Sequence, residues 1–116
     1  MKKIFLALFV TAFSSAAFCQ TEISVDSVAN HVGEKVKICS KVFGTKALEN
    51  LTFINVGAAY PNSPLTIVIL AKDVPNFKEA PGTLYADKNI CVTGLIKEYK
   101  GKMEIEVSSP NEIVVQ

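Results

Sequence analysis

Few side chains in this sequence have types and spacings that suit chemistry. His31 is the single histidine, placed near the end of a predicted short helix. A lone imidazole there is a solvated side chain far more often than a base or a ligand. Cys39 and Cys91 are far apart and no second histidine joins them, so the ligand spacing of a zinc site is missing. Glu104 and Glu106 alternate along one predicted strand and share a face, as paired carboxylates must. Their plainer role is a charged, wet surface that discourages edge-to-edge association. No phosphate-cradling loop, nucleophile elbow or dinucleotide fingerprint is present. The chain is therefore expected to be no enzyme and to carry neither metal nor cofactor. What remains is the chemistry of contact. The rings of Phe53, Tyr60 and Tyr99, the amide of Asn55, and Lys46, Lys97, Lys100 and Lys102 are its carriers. Exposed aromatic rings stack on bases for about 1–3 kcal/mol each, and lysines neutralise phosphates.

These groups lie on or between segments that alternate like strands. Residues 89–107 read as two strands turned back across Tyr99-Lys100-Gly101-Lys102. Ile90, Val92 and Ile96 face one way, against Cys91, Thr93, Leu95 and Lys97; beyond the turn, Met103, Ile105 and Val107 alternate with Glu104 and Glu106. A period of two is the mark of a strand with one buried face. Gly94 interrupts the first of these strands, where a missing Cβ permits a bend. Upstream, Lys35–Phe43 is a strand ending at Gly44, Leu51–Val56 a second ending at Gly57, and Leu65–Leu70 a third. Thr45–Asn50 is a polar loop and Ala58–Pro64 a turn rich in proline and asparagine. Helical spacing of Val25, Val28, Ala29 and Val32 predicts a short helix over 24–34, capped by Ser24 or Asp26 and stopped at Gly33. Lys72–Asp87 crosses over, with one helical turn around Val74, Phe77 and Ala80 before Pro81-Gly82 breaks it; Pro110–Gln116 is an extended tail.

The N-terminus indicates the compartment. Lys2 and Lys3, an apolar run from Ile4, and small Ser14–Ala17 form the three-part layout of a secretory signal peptide, with cleavage expected after Cys19. Residues 1–19 are set aside on that reading, and residues 20–116 are expected to form one domain, periplasmic or secreted. A lipid-modified Cys19 is the rival, disfavoured by bulky Phe18 just before it. An oxidising compartment favours a Cys39–Cys91 disulfide over two free thiols. In the run KVKICSKV the inward set is Val36, Ile38 and Val42, which turns Cys39 outward with Lys35, Lys37 and Lys41; Cys91 is outward by the same rule. If the two strands are neighbours, the sulfurs meet, and the closed loop contributes about 2–4 kcal/mol. The formal charge is +1, and without Lys2 and Lys3 it becomes −1; the chain has no arginine. A strongly basic footprint is thereby excluded.

Five short strands with a helical connection only between the third and fourth suggest an all-β barrel. In the five-stranded OB barrel the first strand is long, bent and paired with the fourth, which would set Cys39 beside Cys91. The runs VGEKVKICSKV, LTFINVGAAYPNSPLTIVI and KNICVTGLIKEYKGKMEIEVSSPNEIVV, within residues 32–115, resemble the OB-fold domains of secreted bacterial proteins. Those domains occur alone or beside extracellular nucleases and are described as nucleic-acid-binding. The most specific pieces are Phe53-Ile54-Asn55-Val56-Gly57 followed by Tyr60-Pro61-Asn62, and Val92-Thr93-Gly94 followed by Tyr99-Lys100-Gly101. The resemblance implies a five-stranded OB-fold barrel with a short N-terminal helix, and a partner that is single-stranded DNA or RNA or a related anionic polymer. The near-neutral charge keeps a second expectation open: an envelope protein or glycan as partner, in an interaction or stress-adaptation role.

OB barrels present ligands to the outer face of the second and third strands, between the loops joining strands one–two and four–five. The candidate nucleic-acid residues on that frame are Lys46, Phe53, Asn55, Tyr60, Lys97, Tyr99, Lys100 and Lys102. Two parities are open for Leu51–Val56. If Ile54 and Val56 point inward, Phe53 and Asn55 present a ring beside an amide; the opposite parity buries Leu51 and Phe53 and leaves Asn55 to cap a bulge. Tyr60 beside Pro61 reads first as a turn residue packing its ring down, and Tyr99–Lys102 first as an ordinary solvated hairpin turn.

Overall fold

Alternating apolar residues here close a sheet on itself. The computed structural model describes residues 21–116; the predicted signal peptide lies outside the described residues. Its strands are β1 (Thr21–Ile23), β2 (Lys35–Ala47), β3 (Leu51–Val56), β4 (Leu65–Leu70), β5 (Asn89–Tyr99), β6 (Lys102–Glu106) and β7 (Ile113–Val115). The hydrogen-bonded order β2-β3-β4-β6-β5 is completed by pairing of β5 with β2, which makes a ring of five strands. β1 adds in parallel to β2, and β7 antiparallel to β5. The interior is filled by Ile38, Ile54, Leu65, Ile67, Ile69, Ile90, Ile96 and Ile105. These are largely β-branched chains of the kind that pack well on a pleated surface.

β2 and β5 each divide their length between their two neighbours in the ring, and local sequence explains how. β2 runs past its predicted end at Phe43: Lys35–Lys41 pairs with β5 and Val42–Ala47 with β3, the register shifting between Val42 and Gly44. A bulge at this point bends the strand and raises its twist. It also converts half of the predicted loop 45–50 into strand. β5 turns at Gly94, with Asn89–Leu95 on β2 and Ile96–Tyr99 on β6. A Cβ at Gly94 would stand 2.5 Å from Ile105 Cγ2, so the missing side chain lets β6 cross the barrel there. The hairpin turn between β5 and β6 has Lys100 at φ 51° and Gly101 at φ 80°. Positive φ at both central residues gives the turn whose twist matches that of its strands.

The ends are plugged by short helical turns. The predicted helix over 24–34 is a 3₁₀ turn, Val25–Asn30, whose cap is Ser24 and whose Val28 enters the core. In the crossover, a 3₁₀ turn at Ala71–Asn76 precedes α1 (Pro81–Leu84). Pro81, expected to break a helix, starts this one instead, because the first helical position needs no amide hydrogen. Phe77 and Tyr85 meet edge to face beneath the barrel, ring centroids 6.2 Å apart. The tail is more ordered than an extended end: Ser109 and Glu112 form a capping box, and Ile113 is buried as β7 docks. Cys39 lies directly opposite Cys91 in the β2–β5 ladder, and the two are joined in a disulfide spanning 52 residues. No helix among the described residues is long and apolar enough to cross a membrane.

Candidate nucleic-acid interface

The parity of β3 decides the outer surface. Thr52, Ile54 and Val56 point inward, so Phe53 and Asn55 face outward. The strand pairings carry this face across the sheet as two rows. One row runs Gly44–Asn55–Thr66–Glu104–Lys97, and the next Lys46–Phe53–Val68–Glu106. Above them lies a cleft of about 540 Å³, walled by the β2–β3 turn, the 57–64 turn and the β5–β6 hairpin. Seven of the eight candidate residues line it: Lys46, Phe53, Asn55, Tyr60, Tyr99, Lys100 and Lys102.

Lys97 is the exception. Its ammonium lies 3.3 Å from Glu106 Oε1, on the flank of the hairpin outside the cleft. At the lips, Tyr60 is 72% and Tyr99 57% exposed, so neither ring is packed down. Lys100 Nζ sits 5.3 Å from the Tyr99 ring centroid, and Lys102 Nζ 5.7 Å from that of Tyr60. The second pair links the hairpin to the facing turn. Such contacts between exposed groups are worth about 0.5–1 kcal/mol, enough to bias the lips and too little to hold the cations away from a ligand.

The floor is polar in a defined way. Asn55 is only 7% exposed. The Ser63 hydroxyl donates to its Oδ1 at 3.2 Å and the Thr66 hydroxyl at 3.0 Å. Beside Thr66, burial pushes the Glu104 carboxyl above its usual range; Lys97 opposes that shift and Glu106 adds to it. Three ammonium groups and one acid therefore meet around three rings and an amide. This arrangement can stack planar groups, neutralise phosphates and exchange hydrogen bonds with a ligand edge. No cluster of three metal-ligating side chains occurs among the described residues.

Glu104, Ser63 and Thr66 were not singled out as site residues from sequence. Glu104 reads there as wet surface, which describes the face correctly but not the hollow in it. Thr66 did carry a signal, as the one polar residue of LTIVIL and hence the marker of that strand's outward face.

No family model matches the chain, and no curated protein matches it by sequence. Solved structures do. An aspartyl-tRNA synthetase from Entamoeba histolytica is 13% identical with TM-score 0.54, over 91% of this chain and 24% of that one. An asparaginyl-tRNA synthetase from Pyrococcus horikoshii is 18% identical with TM-score 0.55, over 80% of this chain and 22% of that one. The chain thus spans under a quarter of the length of these synthetases. An OBody bound to hen egg-white lysozyme is 15% identical with TM-score 0.58, over 88% of this chain and 98% of that one. Strand order, closure between β2 and β5, the bend at Gly94 and these likenesses together identify the fold as the OB barrel.

Proposed function

We propose that the protein is an exported, non-catalytic OB-fold module whose cleft binds single-stranded nucleic acid or a related anionic polymer. One observation carries the reading: three aromatic rings and three lysines border a single cleft on the ligand face of the barrel. Successive bases stack on rings with little sequence preference, and each lysine contacts a phosphate. The synthetases that share the fold over part of their length support it, since their names place tRNA among their substrates. The signal-peptide layout and the disulfide support export. With so few cations, affinity is modest and falls as salt rises.

The test is fluorescence-anisotropy titration of the oxidised protein with a single-stranded oligonucleotide and, beside it, a neutral oligosaccharide. Binding of the oligonucleotide alone is expected, weakened by about 5- to 150-fold in Phe53→Ala when a stacking contact is lost. Silence with the oligonucleotide at low salt, from folded protein, contradicts the proposal. A second reading, in which the same face engages an envelope protein or glycan, draws on half-exposed Leu48 at the cleft rim and on the OBody, whose partner is a protein. Binding of the oligosaccharide, or of an envelope protein that competes at Phe53, would favour it.

A further inference from the structure

Two groups on the cleft floor do not serve phosphate binding. Glu104 repels phosphate. Lys97, directly across the ladder from it, is instead directed to Glu106, and the Glu104 carboxylate has no hydrogen-bond partner among the described residues. Asn55 is more than nine-tenths buried, and both neighbouring hydroxyls donate to its oxygen. Its amide nitrogen has no partner among the described residues. Buried donors are rarely left unmet, so these two N–H groups are donors directed to an acceptor on a ligand in the cleft.

The spacing of the two groups is set by the sheet. Asn55 and Glu104 both pair with Thr66, from β3 and β6 on either side of β4. Adjacent strands lie about 4.8 Å apart, so the two backbones are about 10 Å apart with one short side chain between. Asn55, Thr66 and Glu104 all line the cleft, so the space above the short Thr66 side chain is flanked by an amide on one side and a carboxylate on the other. Phe53, two residues before Asn55 on the same face, stands beside that space as a stacking surface.

The order of groups selects among bases. An amide donor needs an acceptor, and a carboxylate needs N–H donors, two adjacent ones if both oxygens are used. Guanine presents O6 followed by N1–H and the 2-amino group. Adenine and cytosine offer a single amino group beside a ring nitrogen. Thymine and uracil hold their one N–H between two carbonyls, which the carboxylate would repel. We infer that the cleft seats a guanine base, with Asn55 donating to O6 and Glu104 accepting from N1–H and the 2-amino group, the ring against Phe53. This deepens the nucleic-acid reading and rests on it.

The experiment needs only the native oxidised protein. Thymidine oligonucleotides carrying one central guanine, hypoxanthine, adenine or cytosine, and one with no substitution, are compared by anisotropy at a single low salt concentration. The guanine oligomer is expected to bind about tenfold or more tighter than the unsubstituted one. Hypoxanthine, which lacks the 2-amino group, falls between them. Glu104→Gln is expected to abolish the gap between guanine and hypoxanthine. Equal affinity for guanine and thymine, with binding retained, overturns this inference and leaves nucleic-acid binding standing. A gap between guanine and hypoxanthine that survives Glu104→Gln overturns it as well. Failure of every oligomer to bind removes both.

Discussion

Salt dependence turns the count of cleft lysines into a number. Each phosphate neutralised on a single strand contributes about −0.7 to the slope of log affinity against log salt. Lys46, Lys100 and Lys102 line the cleft, so three contacts give a slope of about −2. A rise in salt from about 50 to about 200 mM should then weaken binding by about 20-fold. Lys100→Ala and Lys102→Ala should each flatten the slope by about 0.7. Lys97→Ala should leave it alone, because that ammonium faces Glu106 at 3.3 Å outside the cleft. Anisotropy titrations across a salt series read all four slopes. Binding with a slope near zero would refute phosphate contact in this cleft. A slope of about −4 or steeper would demand more cations than the cleft holds and would require a second lysine face, such as Lys35, Lys37 and Lys41, to bind the strand as well.

Other parts of the account make their own demands. Replacing Cys39 and Cys91 together with serine should lower unfolding free energy by about 2–4 kcal/mol in urea, since the bond closes a long loop of the unfolded chain; an unchanged midpoint would contradict it. Gly94→Ala should cost about 1–3 kcal/mol, because the new Cβ meets Ile105 Cγ2 at 2.5 Å and Ile105 is fully enclosed. A neutral effect there would mean that β6 does not cross so closely. Glu104 has a folded pKa above its unfolded one, so charging it opposes folding above the folded pKa and the penalty disappears below the unfolded one. Glu104→Gln should therefore be more stable than the native protein at neutral pH and lose that advantage in acid. The groups facing Glu104 are Lys97 across the ladder and Lys102 and Glu106 on its own strand; a gap that is the same at both pH values would count against burial as the cause.

Period-two alternation reports which face of a strand is wet, and this made the barrel legible. Lys35–Phe43, Leu51–Val56, Leu65–Leu70 and the 89–107 hairpin were all readable because each alternates or is continuously apolar. Cys39 and Cys91 share an outward parity, and strand adjacency turns that into a bond. The continuation of β2 through Thr45–Ala47 was hidden, since a bulge changes register without changing composition. β1 and β7 are three residues each, too short for any period to emerge. Pro81 signalled a break and marks a start, because the ring that disrupts a helix interior suits its first turn. Within the site, rings and lysines declare themselves by type. The hollow at Glu104 does not, as it depends on two turns rising on either side of a sheet face.

The most direct test of the central claim is to map the contact surface by amide chemical shifts in the oxidised, isotope-labelled protein as single-stranded oligonucleotide is added. The account predicts shifts at Phe53, Asn55, Thr66 and the Tyr99–Lys102 turn, with Glu22 and Val115, on the strands flanking the disulfide, unmoved. Shifts confined to β1, β7 and the Lys35–Lys41 face, or none under saturating oligonucleotide, would contradict it.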